Sequence, residues 1–234
     1  MPTHIKYLTL RSRLKDRSPN TIPDWLKLGE FHDIAAWDCR HRLIEHPMFP
    51  DALRRCQATE SFRAISATEY GCLVTTGLAI KQFLESKADL LLLLQEDILA
   101  VSENDSYHEY IAAVSEWLLN GESAKRAFSY PCSEHPNQVN PKPFRVSHRK
   151  RVNWGAYWVL LNRAAASTWL DRTSHTDFQY RPEDKIFLDM QFQNILQTAH
   201  PQKLLVAHDY SRESTLAKTR WPLIQQGKKQ SATK

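Results

Sequence analysis

The stretch that decides the fold is Ala88-Asp89-Leu90-Leu91-Leu92-Leu93-Leu94-Gln95-Glu96-Asp97-Ile98-Leu99-Ala100. A run of consecutive leucines stops on Gln95 and two adjacent acids. A membrane-spanning helix needs about 20 apolar residues, so this run is too short to cross a bilayer. It suits a strand buried on both faces, in the middle of a parallel sheet. Ligands of open α/β sheets collect beyond the carboxyl ends of the strands, and Glu96 and Asp97 fall there. Neighbouring carboxylates at such an edge can hold a hard divalent cation and, through it, a diphosphate. Acids in that position also serve simply to cap the next element or to face water.

The bulk composition narrows the classes. The chain has 234 residues, enough to bury a sizeable core without disulfide staples. Only 6 glycines occur, and neither G-x-G-x-x-G nor G-x-x-x-x-G-K-[ST] is present, so a glycine-rich phosphate loop is excluded. Cys39, Cys56, Cys72 and Cys132 stand far apart with no C-x-x-C pair, which argues against a zinc ribbon or a dithiol redox motif. The N-terminus lacks the apolar core of a signal peptide. The expectation is a cytoplasmic protein with free thiols. The net charge of +5 favours nucleic acid, an anionic membrane surface or a phosphorylated ligand, and serves equally as a solubility feature.

Outward from the leucine run, residues 4–10 alternate apolar and polar and predict a first strand. Arg11, Arg13, Lys15 and Arg17 follow at its end, where cations can meet a phosphate or a base or form a solvated turn. Residues 21–63 are less regular, with a short helix expected at 50–56. Ser66-Ala67-Thr68-Glu69 is a capping box that opens a helix to about Ser86, with Gly77 letting that helix approach the sheet. A second helix starts near Asp105, with Tyr107, Ile111, Val114 and Leu118 as its buried stripe and Gly121 at its end. Residues 127–130 and 153–161 read as strands. Between them, 132–150 is Pro-rich and basic with interleaved aromatics. It is a nucleic-acid surface, a loop closing over a ligand, or a solvated connection. Asn162 caps a helix to about Asp171, and Pro182-Glu183-Asp184 opens another that runs to about Thr198. Residues 203–207 form a last strand, followed by His208. Strands separated by helices make an α/β domain over 1–220 with right-handed β-α-β units, and 221–234 is a basic flexible tail.

Four of these segments, in order and spacing, resemble the family 25 glycosyltransferases. That group includes lipopolysaccharide and lipooligosaccharide galactosyl- and glucosyltransferases and the collagen galactosyltransferases. Ser66 to Thr76 is similar to the family's x-E-I-G-C-x-x-S-H helix start, with Glu69, Gly71 and Cys72 matching and Thr75-Thr76 in place of Ser-His. Leu92 to Leu99 resembles its L-I-L-E-D-D-V strand end, with Gln95-Glu96-Asp97 in place of Glu-Asp-Asp. Trp154 to Ala166 is similar to its G-x-x-A-Y-x-I-S-R-x-G-A segment. Pro182-Glu183-Asp184 resembles its later P-x-D. More loosely, the first strand with Arg17 resembles the opening I-N-L-D-R-x-x-x-R, and residues 211–216 the closing serine-rich stretch.

The resemblance implies a glycosyltransferase A-type fold, a Rossmann-like α/β/α sandwich with a mostly parallel central sheet. It implies an inverting, metal-assisted hexosyltransferase that takes a nucleoside diphosphate sugar, a UDP-sugar in the first place. Arg11, Arg17, Glu69, Glu96 and Asp97 would hold the donor. Glu96, Asp97 and His208 would hold Mn²⁺ or Mg²⁺, although a lone His is as readily a surface residue. Asp184 would act as general base, or only favour the start of its helix. Trp154 and Tyr157 would stack on the acceptor, or pack in the core. The acceptor would be a saccharide, with lipopolysaccharide as the first candidate, and the basic surface would lie peripherally against the inner face of an anionic membrane. Two other classes stay open. One is a binding or scaffold protein on the same fold with weak or lost catalysis. The other is a nucleic-acid binder using 132–154, for which no recognised motif is present.

Overall fold

The computed structural model describes residues 5–59, 63–100, 104–121, 123–129, 144–146, 158–201 and 206–208. In chain order the strands are β1 (Tyr7–Arg13), β2 (Glu30–Ala35), β3 (Leu90–Leu94), β4 (Ile98–Ala100), β5 (Arg126–Ser129), β6 (Phe144–Val146), β7 (Trp158–Asn162), β8 (Gln197–Pro201) and β9 (Val206–His208). The helices are α1 (Ala52–Arg55), α2 (Ala67–Glu85), α3 (Asn104–Leu119), α4 (Arg163–Ser174) and α5 (Glu183–Phe192). Among the described residues, a 7-stranded sheet has the order β2-β1-β3-β7-β5-β8-β6, and β4 pairs separately with β9. Strands β2, β1, β3, β5 and β8 share one direction, and β7 and β6 run against them. The sheet is mostly parallel and mixed.

Every leucine of β3 is buried. The strand lies between β1, its parallel neighbour, and β7, which is antiparallel. The expected parallel partner is therefore found on one side only. Leu91 and Leu93 join the core formed with α2, α4 and α5, whereas Leu90, Leu92 and Leu94 join the core formed with α3. The same period of two sends Leu8, Leu10, Val159 and Leu161 to the first core and Tyr7, Trp158 and Leu160 to the second. Helices on both faces make a Rossmann-like α/β/α sandwich. Each buried leucine contributes roughly 2 kcal/mol, and a one-residue slip of β3 would exchange the two cores.

Helix α2 opens on both halves of its capping box. The Glu69 N–H donates to Ser66 Oγ at 3.2 Å, and the Ser66 N–H donates to Glu69 Oε2 at 2.8 Å. Gly77 does not meet the sheet as expected. A Cβ there would overlap the Phe49 ring, while a Cβ on Gly71 would overlap the Trp37 carbonyl oxygen. The close approach is thus to the segment 37–49, which crosses α2.

Other boundaries shift for physical reasons. Strand β1 runs to Arg13, three residues beyond the expected end at Leu10. Strand β2 carries no sequence signal, because this edge strand is largely exposed and lacks an apolar stripe. Helix α5 stops at Phe192 and not near Thr198. Asn194 sits at φ 54°, a left-handed conformation that asparagine tolerates, and the chain then enters β8. Phe144–Val146 of the Pro-rich segment form β6. The rest of that segment, 211–216 and the tail 221–234 lie outside the described residues. Among the described residues no helix is long and apolar enough to cross a membrane.

Part of the positive charge is spent inside the fold. Arg163 donates to the carbonyls of Phe83, Leu84, Ser86 and Ala88 at the end of α2. Arg55, 2% exposed, donates to Thr173 and His175 at the end of α4 and stacks 4.0 Å over Tyr180. Arg126 donates to Trp117 and Asn120 at the end of α3. Each guanidinium satisfies carbonyls left over at the negative end of a helix to which it does not belong.

Candidate functional site

A cavity of about 480 Å³ opens at the carboxyl edge of β1, β2 and β3, under the first turns of α2 and α5. The chain leaving β3 contributes Gln95, Glu96 and Asp97, and the end of β1 contributes Arg13, Leu14 and Arg17. Trp37, Asp38, Cys39 and Arg40 come from beyond β2. Helix α2 adds Thr68, Glu69 and Cys72, and α5 adds Glu183, Asp184 and Lys185. Arg17, Glu69, Glu96, Asp97 and Asp184, which the resemblance names as site residues, all line it.

Arg11 does not line it. Because β1 continues to Arg13, its side chains alternate through this stretch. Leu10 and Ser12 face the cavity, and Arg11 turns to the opposite face. There its Nε and Nη2 reach Asp33 at 2.7 and 3.0 Å, and its Nη1 donates to the Asn20 carbonyl at 3.1 Å. At 8% exposed, Arg11 ties β1 to the edge strand.

Glu96 is 8% exposed and turned back along the sheet edge. Its Oε2 accepts the Leu14 N–H at 2.9 Å, and its Oε1 lies 3.6 Å from Arg17 Nη1. Asp97 is half-buried at the turn into β4. The β4–β9 register sets His208 opposite Ile98, one residue along from Asp97. Trp154 and Tyr157 lie outside the described residues. Among the described residues no three His, Cys, Asp or Glu side chains form a ready cage for a metal. Asp97 is the carboxylate that could take a divalent cation, the rest of whose shell phosphate and water would supply. Glu96, engaged by a backbone N–H and Arg17, fits that role less well than Asp97.

The cavity wall carries both signs of charge. Toward β1 and β2 lie Arg13, Arg17 and Arg40, the last bound to Asp38 at 2.6 Å and Asp16 at 2.7 Å. Toward α2 and α5 lie Glu69, Glu183 and Asp184, with Arg63 and Lys185 among them. Burial opposes ionisation of Glu69, but the Arg63 guanidinium and the Ser66 N–H outweigh it and hold the carboxyl below its usual range. At Glu183 the help is weaker, a hydrogen bond from its own backbone N–H. Burial, then the neighbouring Asp184 and Glu69 charges, push its carboxyl up to about 8. Asp184 is raised as well, chiefly by burial, and burial lowers the Lys185 ammonium. Burial drives the Cys72 thiol well above its ordinary value, so it is no ready nucleophile.

Several lining residues escaped sequence reasoning. Trp37 is fixed by its Nε1–H to the Ile44 carbonyl at 2.7 Å, its N–H to Thr75 Oγ1 at 2.9 Å and an edge-to-face contact with His46. It follows an edge strand without a hydrophobic pattern, so nothing in the sequence flagged it. Gln95 donates from Nε2 to Glu183 Oε1 at 3.3 Å, a contact between residues 88 positions apart. The acids opening α5 were the signal for it, but only the fold supplies the partner. Chemically, the arrangement can hold a diphosphate between Arg17 and a cation on Asp97, and can accept a proton on the α5 side.

No family model matches the chain, and none of the curated proteins does. Solved structures share part of its backbone course. A197 from STIV aligns with 84% of this chain and 81% of its own, at 14% identity and a TM-score of 0.41. A CMP:2-keto-3-deoxy-manno-octonic acid synthetase complexed with CTP aligns with 83% of this chain and 89% of its own, at 10% identity and a TM-score of 0.32. Both likenesses are partial and say nothing of activity.

Proposed function

We propose that this protein transfers a hexose from a nucleoside diphosphate sugar, a UDP-sugar in the first place, to a saccharide hydroxyl, with inversion and with Mn²⁺ or Mg²⁺ assisting. The observation that supports this reading is the convergence of Arg17, Glu96, Asp97 and Asp184 on one cavity at the carboxyl edge of the sheet. Breaking the donor's glycosidic bond leaves charge on the diphosphate. Arg17 and Arg13 face that charge from the end of β1. Asp97 would hold a divalent cation, with His208 as a second ligand, and the cation would supply Lewis-acid neutralisation. The acids of α5, which line the same cavity, would take the proton of the attacking hydroxyl. Family 25 membership, a lipopolysaccharide-type acceptor and a peripheral seat on an anionic membrane belong to the same proposal.

The test is thermal stability with UDP, with and without Mn²⁺. The melting temperature rises with both present, and Asp97→Ala abolishes the Mn²⁺-dependent part. No shift with any nucleoside diphosphate would sink the reading. Gln95, an amide where the resembled motif carries an acid, favours a second reading as a nucleotide-sugar-binding protein without transfer. Stabilisation by UDP without hydrolysis or transfer across a donor panel would select that one.

A further inference from the structure

We infer that Glu183, and not its neighbour Asp184, takes the proton of the acceptor hydroxyl, and that Gln95 positions Glu183 for it. This rests on the transfer reading above.

Both acids open α5 and both line the cavity, but their carboxylates are committed differently. Asp184 folds back onto its own helix, where its Oδ1 accepts the Lys185 N–H at 2.8 Å. Glu183 reaches the other way, to Gln95 Nε2 at 3.3 Å. Gln95 is the first residue beyond β3 and stands two positions before Asp97. The Glu183 carboxyl is thereby tethered at the edge of the sheet, beside the end of the cavity assigned to the diphosphate.

This pairing gives the glutamine a physical reason. An acid at 95 would set two carboxylates face to face, each raising the other's proton affinity. An amide offers Glu183 a donor and leaves it the single proton acceptor of the pair. The charges of Asp184 and Glu69 act on it, Cys72 on α2 feels its charge, and Arg63, Asp97 and Lys185 line the same cavity. Burial and the nearby acids bring Glu183 close to neutrality, and a base is most effective with a proton affinity near the working pH. In the step, the acceptor oxygen bonds to the anomeric carbon as its proton passes to ionised Glu183. The bond from that carbon to the diphosphate oxygen breaks, and its electron pair leaves with the diphosphate.

The experiment uses the full chain with UDP-galactose and UDP-glucose, Mn²⁺, and water as acceptor, reading UDP release between about pH 6 and pH 9. In the wild type, kcat climbs with pH and levels off near the alkaline end. Glu183→Gln lowers kcat on the order of 100-fold, loses the climb and keeps its UDP affinity. Asp184→Asn loses less than about tenfold and keeps the climb. Gln95→Glu moves the climb to higher pH. Thermal melts of each variant with UDP verify the fold. A Glu183→Gln enzyme that keeps rate and profile, or an Asp184→Asn enzyme that loses both, overturns the assignment while leaving sugar transfer standing. A wild type that neither binds UDP nor releases it overturns both.

Discussion

Glu96 reaches from the end of β3 to the end of β1, where its Oε2 accepts the Leu14 N–H at 2.9 Å. The Asn20 N–H returns to the Glu96 carbonyl at 3.0 Å, so both termini of the segment 14–20 are fastened to one residue. Arg17 lies between them, 3.6 Å from the same carboxylate. One of the two acids that the sequence offers as metal ligands is therefore also what holds Arg17 at the cavity wall.

From this follows a split between the two adjacent acids. Glu96→Ala strips a partly buried N–H of its acceptor and loosens Arg17, at a cost of roughly 1–3 kcal/mol. Glu96→Gln keeps an acceptor and costs less. Asp97→Ala costs little stability but removes the Mn²⁺-dependent gain from UDP. Urea melts of the three variants, with and without UDP and Mn²⁺, check the pattern. Equal losses of stability in Glu96→Ala and Asp97→Ala would contradict it.

A second expectation concerns Gly71, which the backbone at Trp37 presses closely. The obstacle is a carbonyl oxygen, which cannot swing aside as a flexible side chain does. Nor can the Trp37 backbone retreat freely, because its N–H is held by Thr75 Oγ1, itself bonded to the Gly71 carbonyl at 2.8 Å. Gly71→Ala is expected to destabilise by roughly 1–3 kcal/mol, the usual range for overpacking. It also displaces Trp37 from the cavity wall, which weakens ligand binding beyond the loss of stability. Melts alone and with UDP measure the two effects. An unchanged melting temperature would show that the crossing has room to spare.

What the sequence disclosed depended on whether its signal was local. The leucine run and the Ser66 capping box act over a few residues and predicted their elements closely. So did the stripe of α3, whose Tyr107, Ile111, Val114 and Leu118 are all buried. Strand β2 escaped because an exposed edge strand needs no apolar alternation. Arg11 was misplaced because strand length, and with it the parity of each side chain, is fixed by pairing with Asp33 and the neighbouring strands. The arginines at helix ends, and Glu183 against Gln95, are contacts across many positions of chain. Composition registers them only as charge, so the excess of cations looked like an exposed surface while part of it was holding helix carbonyls.

The raised Glu183 carboxyl also has a consequence for stability. An unfolded glutamate loses its proton near pH 4.3, whereas folded Glu183 keeps its own up to about 8. Between those values the folded state carries more protons than the unfolded one, so stability falls as pH rises and is level again above the folded value. Asp184, raised as well, adds in the same direction. Glu69, held low, acts oppositely and only in acid, where its contribution is lost as pH falls. The wild type is therefore expected to be less stable at about pH 9 than at about pH 6. Glu183→Gln carries no charge to bury and removes most of that difference, a relative gain of roughly 2 kcal/mol on the alkaline side. Urea melts of both proteins at the two pH values measure it. Parallel pH slopes in wild type and variant would show that Glu183 ionises as easily in the folded cavity as in water.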